Sequence, residues 1–171
     1  MKPQDQGINT DEQVVSDEEQ MIRKFYSSFQ NRDWQGMLCC YKDNILFYDP
    51  VFENLEGVEV RSMWEMLLKS AKDLEMEFGE IETEEGYGSC QWVATYTFSR
   101  TGRQVVNKGK AFFKFSEGLI AEHQDDFDLW KWSRQALGIT GTLLGWTPFM
   151  HRKIRQKAER SLEKFMKKDI N

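Results

Sequence analysis

The apolar positions of this chain follow two periods, and the change from one to the other divides it. From Ser16 the spacing is helical. Ser16-Asp17-Glu18-Glu19 reads as a capping box, with Ser16 as N-cap and Glu19 reaching back. A helix is predicted from there to about Gln30, with Met21, Ile22, Phe25, Tyr26 and Phe29 as its apolar stripe. Asp33 is the expected N-cap of a second, short helix carrying Met37, Leu38 and Tyr41. A strand through Ile45, Leu46, Phe47 and Tyr48 is stopped by Pro50. Gly57 then precedes a third helix of about residues 58–72, buried through Val60, Met63, Trp64, Leu67, Leu68 and Ala71.

Beyond that helix the period drops from 3.6 to 2. Leu74, Met76 and Phe78 alternate with acids, and Gly86 and Gly88 mark a turn. Cys90, Trp92, Ala94, Tyr96 and Phe98 fall on one face of a long strand that ends at the Thr101-Gly102 turn. Val105, Asn107, Gly109, Ala111, Phe113 and Phe115 share a face of the next strand, with Lys108, Lys110 and Lys114 opposite. After Glu117-Gly118, a last strand is expected to place Leu119, Ala121, His123, Asp125 and Phe127 on one face. Asp128 is the natural N-cap of a helix ending at Gly138. Gly141, Gly145 and Pro148 then break the chain. Met150, Ile154, Ala158, Leu162 and Met166 recur every four residues, which predicts an amphipathic helix over 149–168.

Helices first and an antiparallel meander afterwards make an α+β plan, one curved sheet wrapped on its N-terminal helices with an extra C-terminal helix. Such a sheet leaves a cone-shaped hollow, a common form of ligand site. Three segments follow: a polar tail over 1–15 expected to be disordered, an α+β domain over 16–138, and a loop and amphipathic helix over 139–171.

Composition narrows the function. Among 171 residues, 13% are aromatic, enough to build a lined cavity. The net charge of −5 argues against general nucleic-acid binding. Charge is uneven, however: residues 149–171 carry eight Lys/Arg against three Asp/Glu, which leaves about −10 for the rest. Three cysteines without metal spacing, no charged and apolar leader, and no apolar run near the ~20 residues of a span fit a reduced, cytoplasmic setting. With His151 in the tail helix, His123 is the one histidine of the domain, too few for a metal set.

Two acidic clusters stand among apolar residues, Phe47-Tyr48-Asp49-Pro50-Val51-Phe52 and His123-Gln124-Asp125-Asp126-Phe127-Asp128. A carboxylate in apolar surroundings costs free energy unless it is paired or changes its pKa, so these are candidate site groups. His123 and Asp125 lie two apart on a strand, about 6.5–7 Å along the backbone, and point the same way. Asp49 could equally end a strand as a turn initiator. Asn107 needs a partner or a ligand if buried. Trp64, Trp92, Tyr96 and Phe113 are candidate cavity walls, each with plain core packing as the alternative.

The order of elements and these residues resemble the nuclear transport factor 2-like superfamily, which includes ketosteroid isomerases, limonene epoxide hydrolases and the SnoaL polyketide cyclases. The resemblance covers roughly residues 17–138. Asp49-Pro50-Val51 is similar to the segment that carries the general base of the isomerases, which implies a proton acceptor at Asp49. The isomerase oxyanion-hole tyrosine would fall at Phe25, beside Tyr26, and its neutral carboxylic acid near Ala111. The histidine-x-aspartate of Glu122-His123-Gln124-Asp125, followed by Gln135-Ala136-Leu137-Gly138, is closer to the SnoaL cyclases and implies an acid/base role for Asp125. The second aspartate and the arginine of the epoxide hydrolases would fall near Ala94 and Trp92, so that triad is absent.

Three functions follow as expectations. One is a cofactor-independent isomerase or cyclase acting on an apolar carbonyl compound, with Asp49, His123 and Asp125 catalytic and Trp64, Trp92, Tyr96, Asn107 and Phe113 binding the ligand. The second is a ligand-binding module without chemistry. The third is an interaction protein that forms a homodimer through its sheet, as the superfamily often does, and docks its basic C-terminal helix on an acidic partner. The tail helix must dock on its own domain, a second subunit or an anionic membrane, the membrane being ranked last.

Overall fold

The computed structural model describes residues 15–168. The expected tail thus lies almost wholly outside the described residues. The first helix, α1 (Asp17–Gln30), starts where Ser16 accepts a hydrogen bond from the Glu19 amide. Only this half of the capping box forms, because the Glu19 carboxylate turns along the helix to Arg23. Asp33 caps α2 (Trp34–Leu38) in the same manner. Tyr41 lies beyond that helix and opens β1 (Tyr41–Tyr48).

A two-residue strand, β2 (Leu55–Glu56), then precedes α3 (Val58–Ser70). Four long strands follow: β3 (Glu75–Glu84), β4 (Tyr87–Phe98), β5 (Arg103–Ser116) and β6 (Leu119–Phe127). The turn between β3 and β4 uses Gly86 at φ +75°, while Gly88 belongs to β4 and makes room there for Ile22 of α1.

The six strands form one sheet in the order β2-β1-β6-β5-β4-β3. It is antiparallel throughout except where β1 runs parallel to β6. That parallel pair matches Phe47 with His123 and Tyr48 with Gln124. Asp49 and Asp125 therefore follow at the same level on adjacent strands, and alternation turns both toward the concave face. A bulge between Lys114 and Phe115 shifts the β5–β6 register. It reverses the alternation at the start of β6, so Ile120 is fully buried in place of the expected Leu119 and Ala121.

The core fills the concave side. Ile22, Phe25 and Tyr26 of α1 and Val60, Met63 and Trp64 of α3 pack against Cys90, Ala111, Phe113 and Ile120 of the sheet. Asp128 caps α4 (Leu129–Leu137), whose Trp132 and Ala136 join Val105 in a second apolar cluster. Gln135 anchors α4 by exchanging both amide hydrogen bonds with the backbone of Val106. Two further helices close the chain, α5 (Ile139–Leu144), which the spacing did not predict, and α6 (Pro148–Lys168). Leu162, Ala158 and Met166 of α6 pack into the main core, so the helix docks on its own domain.

Candidate functional site

The concave face of the sheet, α1, α3, α4 and α6 enclose a cavity of about 1100 Å³. Asp49, His123 and Asp125 all line it. So do Trp64, Trp92, Tyr96 and Asn107. Phe113 does not; it packs behind His123, ring centroids 4.5 Å apart, and supports the imidazole from the core. The remaining wall is mostly aromatic and aliphatic, with Phe47, Phe127 and Met150 among its members.

His123 is fixed by a relay that local patterning does not reveal. The Trp64 indole N–H donates to the Tyr41 hydroxyl oxygen at 3.1 Å. That hydroxyl lies 2.6 Å from His123 Nδ1. Burial holds the Tyr41 pKa well above its ordinary value, the Asp125 charge adds to this, and the Trp64 bond only partly offsets it. Tyr41 thus keeps its proton. Its other neighbour, the Trp64 N–H, can only donate, so Nδ1 is the one acceptor that proton has among the described residues, and donation there leaves the ring proton on Nε2. His123 Nε2 is buried and has no hydrogen-bond partner among the described residues. Its nearest carboxylate oxygen, Asp125 Oδ1, is 3.4 Å away and accepts instead from Trp92 Nε1 at 2.8 Å. A buried donor without a partner costs about 1–3 kcal/mol, which a ligand oxygen would recover.

Trp92 reaches Asp125 because its cross-strand neighbour is Gly109. A Cβ there would lie 2.5 Å from the indole. On the same strand as Trp92, Tyr96 accepts from Trp132 Nε1 at 2.8 Å. Asn107 lines the cavity with no side-chain hydrogen bond among the described residues, so its amide is available to a bound molecule.

Asp49 sits where β1 ends. Its Oδ1 accepts from the amides of Val51, at 2.7 Å, and Phe52. Burial pushes its pKa up to about 7. The Phe52 amide opposes that rise, the Asp125 charge reinforces it, and the Val51 amide and Arg155 pull it back. Folding therefore favours the neutral acid, and the stability this provides at low pH is lost as pH rises through about 7. Arg155 comes from α6: it donates to the Pro50 carbonyl at 3.0 Å and pairs with Glu53. The tail helix thus clamps the loop that shapes Asp49.

Sequence reasoning missed Tyr41, Trp132 and Arg155. Each reaches the site from a distant element, and no local spacing announces such a contact.

A model of the SnoaL-like domain matches residues 22–123, more than half of the chain. The chain belongs to the SnoaL-like domain family. No match is found among curated proteins. Solved structures share the fold at low identity. A candidate SnoaL-like polyketide cyclase from Jannaschia sp. CCS1 superposes with a TM-score of 0.65 at 12% identity, over 80% of this chain and 99% of that one. AclR, a candidate hydroxylase from Streptomyces galilaeus, gives 0.61 at 18% identity over 76% and 98%. TerC, crystallised with polyporic acid, gives 0.58 at 15% identity over 66% and 92%. This SnoaL-like chain has the cone-shaped α+β fold that its element order implied. No helix among the described residues is long and apolar enough to cross a membrane.

Proposed function

We propose that this protein is a cofactor-independent acid/base isomerase or cyclase acting on an apolar carbonyl compound. The observation that carries the reading is Asp49, a carboxyl group with a pKa near 7 in the same apolar cavity as a buried His123 N–H that lacks an acceptor. A general base works best when its pKa lies near the working pH. Asp49 removes a proton beside the substrate carbonyl. His123 Nε2–H donates to the oxygen as negative charge develops there. Asp125, held by Trp92, borders the imidazole edge at 3.4 Å and orients it. Aromatic walls exclude water and suit a ring-bearing substrate, in keeping with the crystallised TerC–polyporic acid pair.

A second reading has an observation of its own. Phe25 and Ala111 occupy the positions where the isomerase oxyanion groups would fall, and both are fully buried without a polar side chain. The same cavity would then hold a ligand without transforming it. For either reading, the exposed outer sheet residues Leu46, Tyr48, Val106 and Phe112 support the pairing of two copies through that face.

The test is exchange of the α-protons of 2-tetralone in D₂O, followed by NMR. An acid/base enzyme accelerates exchange over buffer. Because Asp49 must be ionised to act, the rate rises as pH passes through about 7 and then levels. Asp49→Asn keeps the backbone bonds and lowers the rate about 100-fold or more. Saturable binding of 2-tetralone with no enzyme-dependent exchange would replace the catalytic reading with the carrier reading.

A further inference from the structure

The α5 turn is packed inside out. Its inward positions are glycines: a Cβ on Gly141 would lie 1.8 Å from the Ser133 carbonyl oxygen, and one on Gly145 would lie 2.7 Å from the Ser133 Cβ. These two residues fit α5 tightly against α4. Its large side chains are left to face solvent: Ile139 is 81% exposed, Leu143 65%, Trp146 63% and Phe149 52%, with Leu144 and Trp130 also exposed. An isolated exposed leucine needs no explanation, but a contiguous patch of this kind marks an interaction surface.

The charge around the patch selects its partner. Residues 129–168 carry ten Lys/Arg and two Asp/Glu, a net of +8; with −5 for the whole chain, the remainder carries −13. Lys153 lies 4.5 Å over the Phe149 ring, and Arg134 5.3 Å over Trp130, so cations border the apolar side chains directly. A symmetric pairing of two copies through this face would bring two +8 segments together, which like-charge repulsion opposes. Exposed Trp, Phe and Leu bordered by Lys and Arg are the composition of elements that lie in a bilayer interface, where anionic headgroups attract the cations and the acyl boundary takes the apolar groups.

We infer that this protein docks reversibly on anionic lipid bilayers through the turn from Ile139 to Phe149. The binding element is the α5 turn rather than the apolar stripe of α6, which is spent on the core. Thr140, Met150 and Lys153 line the cavity beside this turn. Docking there brings the part of the cavity wall built by these residues toward the membrane, where an apolar ligand concentrates. The inference does not depend on whether the cavity performs chemistry.

The experiment is flotation of the full chain with phosphatidylcholine vesicles, with and without about 30% phosphatidylglycerol, a range in which each basic residue near the surface has a measurable effect. The protein should float with anionic vesicles, stay behind with neutral ones, and be released by high salt. Leu143→Asp and Trp146→Asp should abolish flotation while far-UV circular dichroism and 2-tetralone exchange stay unchanged. Arg134→Glu with Lys153→Glu should weaken it about tenfold or more, an effect independent of the apolar variants. Failure of the wild-type chain to float with anionic vesicles would overturn the inference. So would flotation that survives both sets of substitutions. A drop in solution mass caused by Leu143→Asp would assign the patch to a second copy, and a stable complex with an acidic protein in place of lipid would assign it to that partner; either result overturns membrane docking.

Discussion

The cavity and the α5 turn invert the ordinary distribution of residues in opposite senses. In the cavity, ionisable and polar groups are buried among aromatic rings: His123 is 2% exposed and Asp125 7%. At the α5 turn, aliphatic and aromatic groups are displayed among cations. Both arrangements cost free energy that a plain core or a plain surface would not. The difference lies in how each is held. The buried groups are held by directed bonds, the Trp64–Tyr41–His123 relay and the Trp92–Asp125 contact. The displayed groups are held outward chiefly by shape, through glycines that leave no inward space for a side chain, with one local bond from Trp146 Nε1 to the Leu143 carbonyl. Departures from local rules that a structure maintains so specifically are where binding and chemistry are expected.

The largest blow to this contrast would fall on the glycines. Gly141→Ala forces a methyl group against the Ser133 carbonyl and should cost about 3 kcal/mol in urea unfolding. A loss below about 1 kcal/mol would mean that α5 moves away at little cost and that packing does not enforce its outward display. Next in size is the relay. Tyr41→Phe strands the Trp64 N–H and removes the donor to His123 Nδ1, a destabilisation of about 2 kcal/mol. Nitrogen-15 spectra of the histidine ring should then show the Nε2–H form giving way to a mixture of tautomers; an unchanged spectrum would show that Tyr41 does not set the tautomer. Smallest is the display itself. Leu143→Ser should change stability by less than about 0.5 kcal/mol, because the side chain touches little. A larger loss would place Leu143 in packing and weaken the distinction between the two regions.

Legibility in the sequence differed between the same two regions. The acidic clusters could be found because Asp49, His123 and Asp125 break an apolar alternation, and a parity argument put the last two on one face. Phe113 shared that parity yet stands behind His123, since parity gives a face and not a depth. At the other region Gly141, Gly145 and Pro148 read only as chain breaks. The same glycines in fact permit a helical turn to lie against α4, a role that depends on a neighbour the local pattern does not name.

The sequence by itself determined every helix but α5, the long strands and their order, because periodicity, capping residues and turn residues act over a few positions. It also determined the fold family, since the sequence alone matches the SnoaL-like domain over residues 22–123. Only the tertiary structure decided the parallel β1–β6 register that sets Asp49 beside Asp125. It alone decided the bulge that buries Ile120, the reach of Tyr41 to His123 and the clamp of Arg155 on the Asp49 loop. These contacts join residues up to 105 positions apart, and they rest on packing and strand pairing that no short window of sequence contains.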